Sequence, residues 1–278
     1  MQTVLITGAA GAVATDLRPM LRARYANLKL SDRVPVSDMA ENERFVPAQL
    51  ENPEDLAALC DGVDGIIHLG GQPLEADWGI IDACNIQGLM NLLEAARLAG
   101  VARFVFASSN HAVGMYPRAR KIGAGDPVRP DSRYGLSKAF GEAACALYAD
   151  KHGMRCLSIR IGNVADRPAD RRRLSIWLHP EDLFQLCRIG LEHPDLHNEI
   201  VFGASDNIRT FWDNDAAFRL GYRPAHRAED HAAFALTRQE TLAPNPLADR
   251  FQGGSFSSEA FTGDEDRTIW GQAARWPR

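Results

Sequence analysis

Lysine is scarce in this chain: four occur in 278 residues, at 29, 121, 138 and 151. Net charge is −5, and the longest basic run is Arg171-Arg172-Arg173, which reads on its own as a solvated loop. Without a basic block, nucleic acid is excluded as the expected partner. Cysteine is also sparse. The five Cys (60, 84, 145, 156, 187) are odd in number, scattered and free of any Cys-x-x-Cys pair. That excludes a zinc ribbon and a disulfide framework and fits reduced thiols in a cytoplasmic setting. No apolar run approaches the roughly 18 residues of a membrane span, so no membrane partner is expected. Met1-Gln2 leads straight into Thr3-Val-Leu-Ile-Thr7, and no signal peptide is expected.

What is present is an α/β rhythm. Hydrophobic residues make up 45% of the chain, enough to fill a substantial core. Strands are predicted at Thr3–Thr7, Leu28–Leu30, Phe45–Val46, Gly65–Leu69, Ala102–Ala107, Cys156–Ile161 and Ile200–Gly203. Helices are predicted at Val13–Arg24, Pro53–Cys60, Trp78–Ala99, Arg133–His152 and from Pro180 to about Leu191. In Trp78–Ala99 the apolar stripe runs through Ile86, Leu89, Leu93 and Ala96. In Arg133–His152 it runs through Leu136, Phe140, Ala143 and Leu147. Strands this apolar are buried on both faces. The pattern predicts a doubly wound, mostly parallel Rossmann-type sheet over residues 1–162, with ligands at the carboxyl ends of the strands. Residues 163–278 read as a smaller substrate-binding region that partly completes the core. Asn163–Arg173 reads as a loop and Gly263–Arg278 as a surface tail.

Thr7-Gly8-Ala9-Ala10-Gly11-Ala12-Val13-Ala14 follows the first strand and opens the first helix. This spacing aims backbone N–H groups and a helix N-terminus at a pyrophosphate. Asp32 ends the second strand, where an acid binds the adenosine ribose hydroxyls and repels a 2′-phosphate, favouring NAD. Arg33, beside it, could instead hold NADP. Gly70 and Gly71 end the fourth strand and let a cofactor lie against backbone. His68 reads as structural.

Tyr134-Gly-Leu-Ser-Lys138 puts a phenol and an ammonium on one helix face. The ammonium can favour the ionised phenol, whose ordinary pKa of about 10 is too high for a base at neutral pH. With so few Tyr and Lys in the chain, chance supplies this spacing only about 0.07 times. Ser108-Ser109-Asn110-His111 ends the fifth strand beside the expected nicotinamide position. A cap or turn would account for one of these polar groups.

Together, Gly8-x-x-Gly11, Asp32, Ser109 and Tyr134-x-x-x-Lys138 resemble the extended branch of the short-chain dehydrogenase/reductases. Ala107-Ser-Ser-Asn-His111, Arg160-Ile-Gly162, Ser175-Ile-Trp177, Phe211-Trp-Asp-Asn214 and Arg250-Phe-Gln-Gly-Gly254 resemble the uronate dehydrogenases within that branch. The resemblance implies NAD-dependent oxidation of a hexuronate at C1 to an aldarolactone. It makes Tyr134 the base, with Lys138 holding the nicotinamide ribose and Ser109 orienting the reacting oxygen. Substrate contacts would be Ser109, Asn110, His111, Tyr134, Asn163 and Arg172, the last for the carboxylate. The Arg172 register is open by one residue, because Arg171 and Arg173 flank it. Cofactor contacts would be Gly8, Gly11, Ala12, Val13, Asp32, Gln49, Leu50, Leu69, Gly70 and Gly71, with Tyr134 and Lys138; no metal is implied. Pro73 and Asn163 stand where the family usually has Ser, and Gln49 where it usually has Asp. A homo-oligomer paired through the two long helices is expected. The alternatives are a dehydrogenase of another sugar or sugar acid, a nucleotide-sugar epimerase or dehydratase of the same branch, and a non-enzymatic NAD-binding module.

Overall fold

The computed structural model describes residues 1–270. Its strands are Thr3–Thr7 (β1), Asn27–Ser31 (β2), Glu43–Phe45 (β3), Gly65–His68 (β4), Arg103–Ser109 (β5), Arg155–Ile161 (β6), Asn163–Val164 (β7), Trp177–Leu178 (β8) and Asn198–Gly203 (β9). Seven of them form one parallel sheet in the order β3-β2-β1-β4-β5-β6-β9. The order reverses between β1 and β4, which sets a ligand crevice at the carboxyl ends of those strands. The helices flanking the sheet begin with Ala12–Arg24 (α1), Pro53–Cys60 (α2), Trp78–Ile81 (α3), Gly88–Leu98 (α4) and Arg133–His152 (α5). After β6 come Arg173–Ile176 (α6), Pro180–Glu192 (α7), Asp215–Arg219 (α8), Ala232–Gln239 (α9), Pro246–Arg250 (α10), Ser255–Ser258 (α11) and Glu265–Trp270 (α12). One core layer joins α1 and α7 to the sheet, and the other joins α2, α4 and α5. All five cysteines are buried and free. Among the described residues no helix is long and apolar enough to cross a membrane.

Several elements differ from the sequence expectation, each for a local reason. The helix expected over Trp78–Ala99 contains a π turn, Asp82–Gln87. The extra residue turns Asn85 inward: its Oδ1 accepts from Gln72 N–H at 2.7 Å and its Nδ2 donates to Ser137 Oγ at 3.0 Å. The fifth strand runs on through Ser108 and Ser109, beyond the expected end at Ala107. The segment expected as a loop, Asn163–Arg173, starts with β7, which pairs with β8. The expected tail begins instead with α12, tied back by an Arg250–Glu265 ion pair and by Arg129 Nη2 donating to Thr268 O at 2.9 Å. Residues 271–278 of that expected tail lie outside the described residues.

The apolar stripe of α5 faces outward, with Leu136, Phe140 and Leu147 all exposed. The buried face carries Gly135, Ser137, Lys138, Gly141, Glu142 and Cys145 instead. A face this rich in glycine and polar groups brings the helix close to the sheet.

His68 is structural, as expected. It ends β4 with its Nδ1 2.7 Å from Thr7 Oγ1, and burial, helped by the Lys138 charge, pushes its pKa down to about 3 from 6.5. The unfolded chain therefore takes up a proton below pH 6.5 that the folded chain refuses until far lower pH. The associated stability is present above that pH and is lost on acidification. By urea unfolding, the loss from this group between pH 7.5 and 4.5 should be about 2–3 kcal/mol. His68→Gln should show a correspondingly smaller loss; an equal loss in both proteins would contradict the assignment.

Candidate active site

The carboxyl ends of β1, β2 and β4 open on a cleft of about 380 Å³. Gly8 adopts φ +71°, and a Cβ there would stand 2.7 Å from Gly70 N, so the loops after β1 and β4 meet backbone to backbone. Gly11 caps α1 without a side chain, which leaves the first N–H groups of the helix facing the cleft. Asp32 accepts from Ala10 N–H through Oδ2 (3.1 Å) and from Arg33 N–H through Oδ1 (2.7 Å). Gly8, Gly11, Ala12, Val13, Asp32, Leu50, Leu69, Gly70 and Gly71 all line this cleft. Gln49 does not: it is exposed, and Leu50 and Glu51 line that end instead. Glu51 and Cys84, which accept and donate one hydrogen bond between them (3.2 Å), are lining residues the sequence did not signal. An uncapped helix N-terminus, a carboxylate at the end of β2 and glycine where a Cβ would intrude fit a dinucleotide.

The expected reaction groups gather where α5 meets the end of β5. Lys138 Nζ lies 5.5 Å from the Tyr134 ring centroid, so the pair shares a face as the spacing predicts. The same Nζ donates to Ala107 O at 2.8 Å, and burial lowers its pKa to about 8. Tyr134 is pushed up to about 12 by burial, drawn down by the Ser109 hydroxyl and raised again by the Asp131 charge. At this depth the desolvation of the anion outweighs the Ser109 hydrogen bond.

Each polar group of the run after β5 has its own partner. Ser108 Oγ donates to Glu142 Oε1 at 2.6 Å, and Glu142 also holds Arg160 through two bonds of 2.9 Å. Ser109 caps a 3₁₀ turn, Asn110–Val113, by accepting from His111 N–H at 3.2 Å. The cap expected for one serine is thus Ser109. Asn110 is 1% exposed. With its amide oriented so that donor meets acceptor, it donates to Ile161 O and accepts from Arg172 Nη2, both at 3.1 Å. Its amide is therefore engaged by protein groups at both ends, with one N–H and one lone pair left over.

Of the three consecutive arginines it is Arg172 that turns inward. Arg171 is exposed and Arg173 pairs with Asp170. Arg172 Nε donates to Gln252 O at 2.9 Å, and its side chain lies so close to Gly254 that a Cβ there would stand 2.7 Å from Nε. Burial, with the Arg118 and Arg173 charges, lowers its pKa to about 10, so it stays cationic at neutral pH. His111 Nδ1 lies 2.8 Å from Asp131 Oδ2, and its ring stacks on Phe256 at 4.0 Å. Asn163 is half-buried in β7, joined through backbone to Trp177, and makes no side-chain hydrogen bond among the described residues. Pro73 lines the dinucleotide cleft. Asp131, Gln252 and Phe256 were missed in the sequence. Arg250-Phe-Gln-Gly-Gly254 stood out there as a motif, but nothing in it named Arg172 as its neighbour.

Residues 4–178 match the model of the NAD dependent epimerase/dehydratase family. The chain belongs to that family. It is 41% identical over 255 residues to uronate dehydrogenase of Pseudomonas putida, covering 91% of this chain and 95% of that protein. Its structure is similar to that of a glucuronic acid dehydrogenase from Chromohalobacter salexigens, with TM-score 0.90 and 39% identity over 93% of this chain and 97% of that one. It is also similar to a uronate dehydrogenase from Agrobacterium tumefaciens, a tyrosine-to-alanine mutant complexed with NAD, with TM-score 0.89 and 38% identity over 93% and 98%. Within this family framework the Asn110–Arg172 bond is open to test. Asn110→Ala should raise KM for an anionic sugar about tenfold, the worth of one hydrogen bond to a charged group, and change KM for a neutral sugar much less. Initial rates with both sugars check this, with NAD affinity as the folding control. Equal losses on the two sugars would count against the Asn110–Arg172 coupling.

Proposed function

We propose that this chain is an NAD-dependent dehydrogenase that oxidises a hexuronate such as glucuronate or galacturonate at C1, yielding an aldarolactone. The observation that carries this reading is a guanidinium fixed from two sides, by Asn110 and by Gln252 O, beside the Ser109–Tyr134–Lys138 group. Its remaining donors suit a carboxylate in a bidentate bond. NAD, when bound, supplies the hydride acceptor. Gly8, Gly11 and the α1 N-terminus would hold its pyrophosphate, and Asp32 its adenosine ribose. Tyr134 removes the proton from the C1 hydroxyl. Ser109 orients that oxygen, and Lys138, anchored on Ala107 O, holds the nicotinamide ribose and adds positive charge beside the phenol.

Purified protein with NAD should form NADH, read by absorbance, with glucuronate or galacturonate and far less with glucose or galactose. Tyr134→Phe should lose at least about 100-fold in kcat. Arg172→Met should raise KM for the uronate by about 100-fold while sparing any residual aldose activity. Turnover of neutral aldoses with none of uronates would refute the substrate class and favour a dehydrogenase of another sugar. Tight cofactor retention with no net NADH would favour an epimerase.

A homo-oligomer is part of the same proposal. The outward stripe of α5, Leu136, Phe140 and Leu147, lies beside α3, which exposes Trp78 and Ile80. An apolar surface shared by two adjacent helices is suited to a second copy of the chain. Light scattering should give at least a dimer, and Phe140→Glu should dissociate it; a monomeric wild type would contradict the proposal.

A further inference from the structure

Asp131 carries the strongest unassigned observation in the molecule. Its side chain is wholly buried, and within ion-pair distance it meets only His111 among the described residues. Ser132 Oγ donates to its Oδ1 at 2.9 Å, and Ser257 Oγ lies 3.4 Å from its Oδ2. Space for this carboxylate is made by glycines from two distant segments. A Cβ on Gly114 would stand 1.9 Å from Oδ2, and one on Gly253 would stand 1.8 Å from it. The charge is felt at both ends of the site, raising the pKa of Tyr134 and working against the lowering at Arg172. A buried carboxylate is costly unless a partner uses it, and the partner here is the imidazole. That ring has little freedom: it stacks on Phe256 (27° between planes) and meets the edge of Tyr134 at 5.8 Å.

We propose that Asp131 is a positioning residue that holds His111 by its Nδ1–H, so that in the neutral ring Nε2 presents its lone pair to the substrate. An ionised carboxylate only accepts, so the ring nitrogen facing it must donate; in the neutral ring the other is then the acceptor. The two polar groups proposed to meet the sugar acid are thereby sorted. Arg172 offers only donors and takes a carboxylate, whereas His111 accepts and takes a hydroxyl. The pair fixes which way round a sugar acid lies. This rests on the reading of His111 as a substrate contact, but the state of its ring does not.

The experiment is ¹⁵N NMR of histidine-labelled wild-type protein, together with kinetics of Asp131→Asn. The expected spectrum at alkaline pH shows His111 protonated on Nδ1 and bare on Nε2, assigned by its loss in His111→Gln. Asp131→Asn is expected to raise KM for the sugar about tenfold, with kcat within about threefold and NAD affinity unchanged. An Nε2–H form in the wild type overturns the proposal. So does an unchanged KM in the variant, or an equal fall in kcat, KM performance and NAD affinity, which marks a structural role only. Should Asp131→Asn fail to fold, the wild-type spectrum decides. Should the wild type turn over no sugar at all, the proposed function falls while the spectrum still decides the state of His111.

Discussion

Helix α5 lies against the end of β5 more closely than ordinary side chains would permit, and the geometry of the site depends on that approach. A Cβ on Gly141 would stand 2.2 Å from Phe106 Cζ, and one on Gly135 would stand 2.3 Å from His111 O. Polar links hold the two elements together in the gap so closed: Lys138 to Ala107 O, and Glu142 to Ser108. Glu142 also takes Arg160 from β6, an ion pair with both side chains almost fully buried. Removing either partner would strand a charge, at a cost of about 3–5 kcal/mol. The result is that Tyr134 and Lys138, from the helix, stand beside Ser109, from the strand.

The opposite wall is built from chain that is distant in sequence. The 250–257 segment returns over the site and brings Gln252 O and Gly254 against Arg172, Gly253 against Asp131, and Phe256 against His111. It is fastened by Arg118, which donates to Phe251 O at 2.9 Å, and by Gln252, whose side chain accepts from Trp212 Nε1 at 3.0 Å. The sheet and the glycine loop serve a dinucleotide. In the proposed function, the returning segment, the 3₁₀ turn after β5 and Arg172 would face the sugar.

Much of this was legible in the sequence where the signal is local. Apolar runs gave the strands, Gly8-x-x-Gly11 gave the tight turn that lines the cleft, and the Tyr134–Lys138 spacing gave the shared helix face. What was hidden depends on what lies across from a residue. For the stripe Leu136, Phe140, Leu147, periodicity reports amphipathicity and not which face is covered; in α5 the small and polar face is the buried one. Asn85 in its π turn, Asn110 behind Arg172, and Asp131 in its glycine-lined space each take their role from partners 13 to 126 residues away. The depth of Tyr134 and Lys138 was hidden for a related reason: spacing shows that two groups meet, but not how far both are removed from water.

The most direct test of the account is to push α5 off β5 by one methyl group. Gly141→Ala places that methyl against Phe106 without touching the cleft, the Tyr134–Lys138 spacing or Arg172. The account predicts a fall in kcat of about 100-fold, as for a displacement of about 1 Å at reacting groups, with affinity for ADP-ribose unchanged. Unchanged kcat, or loss of ADP-ribose binding in step with kcat, would contradict it.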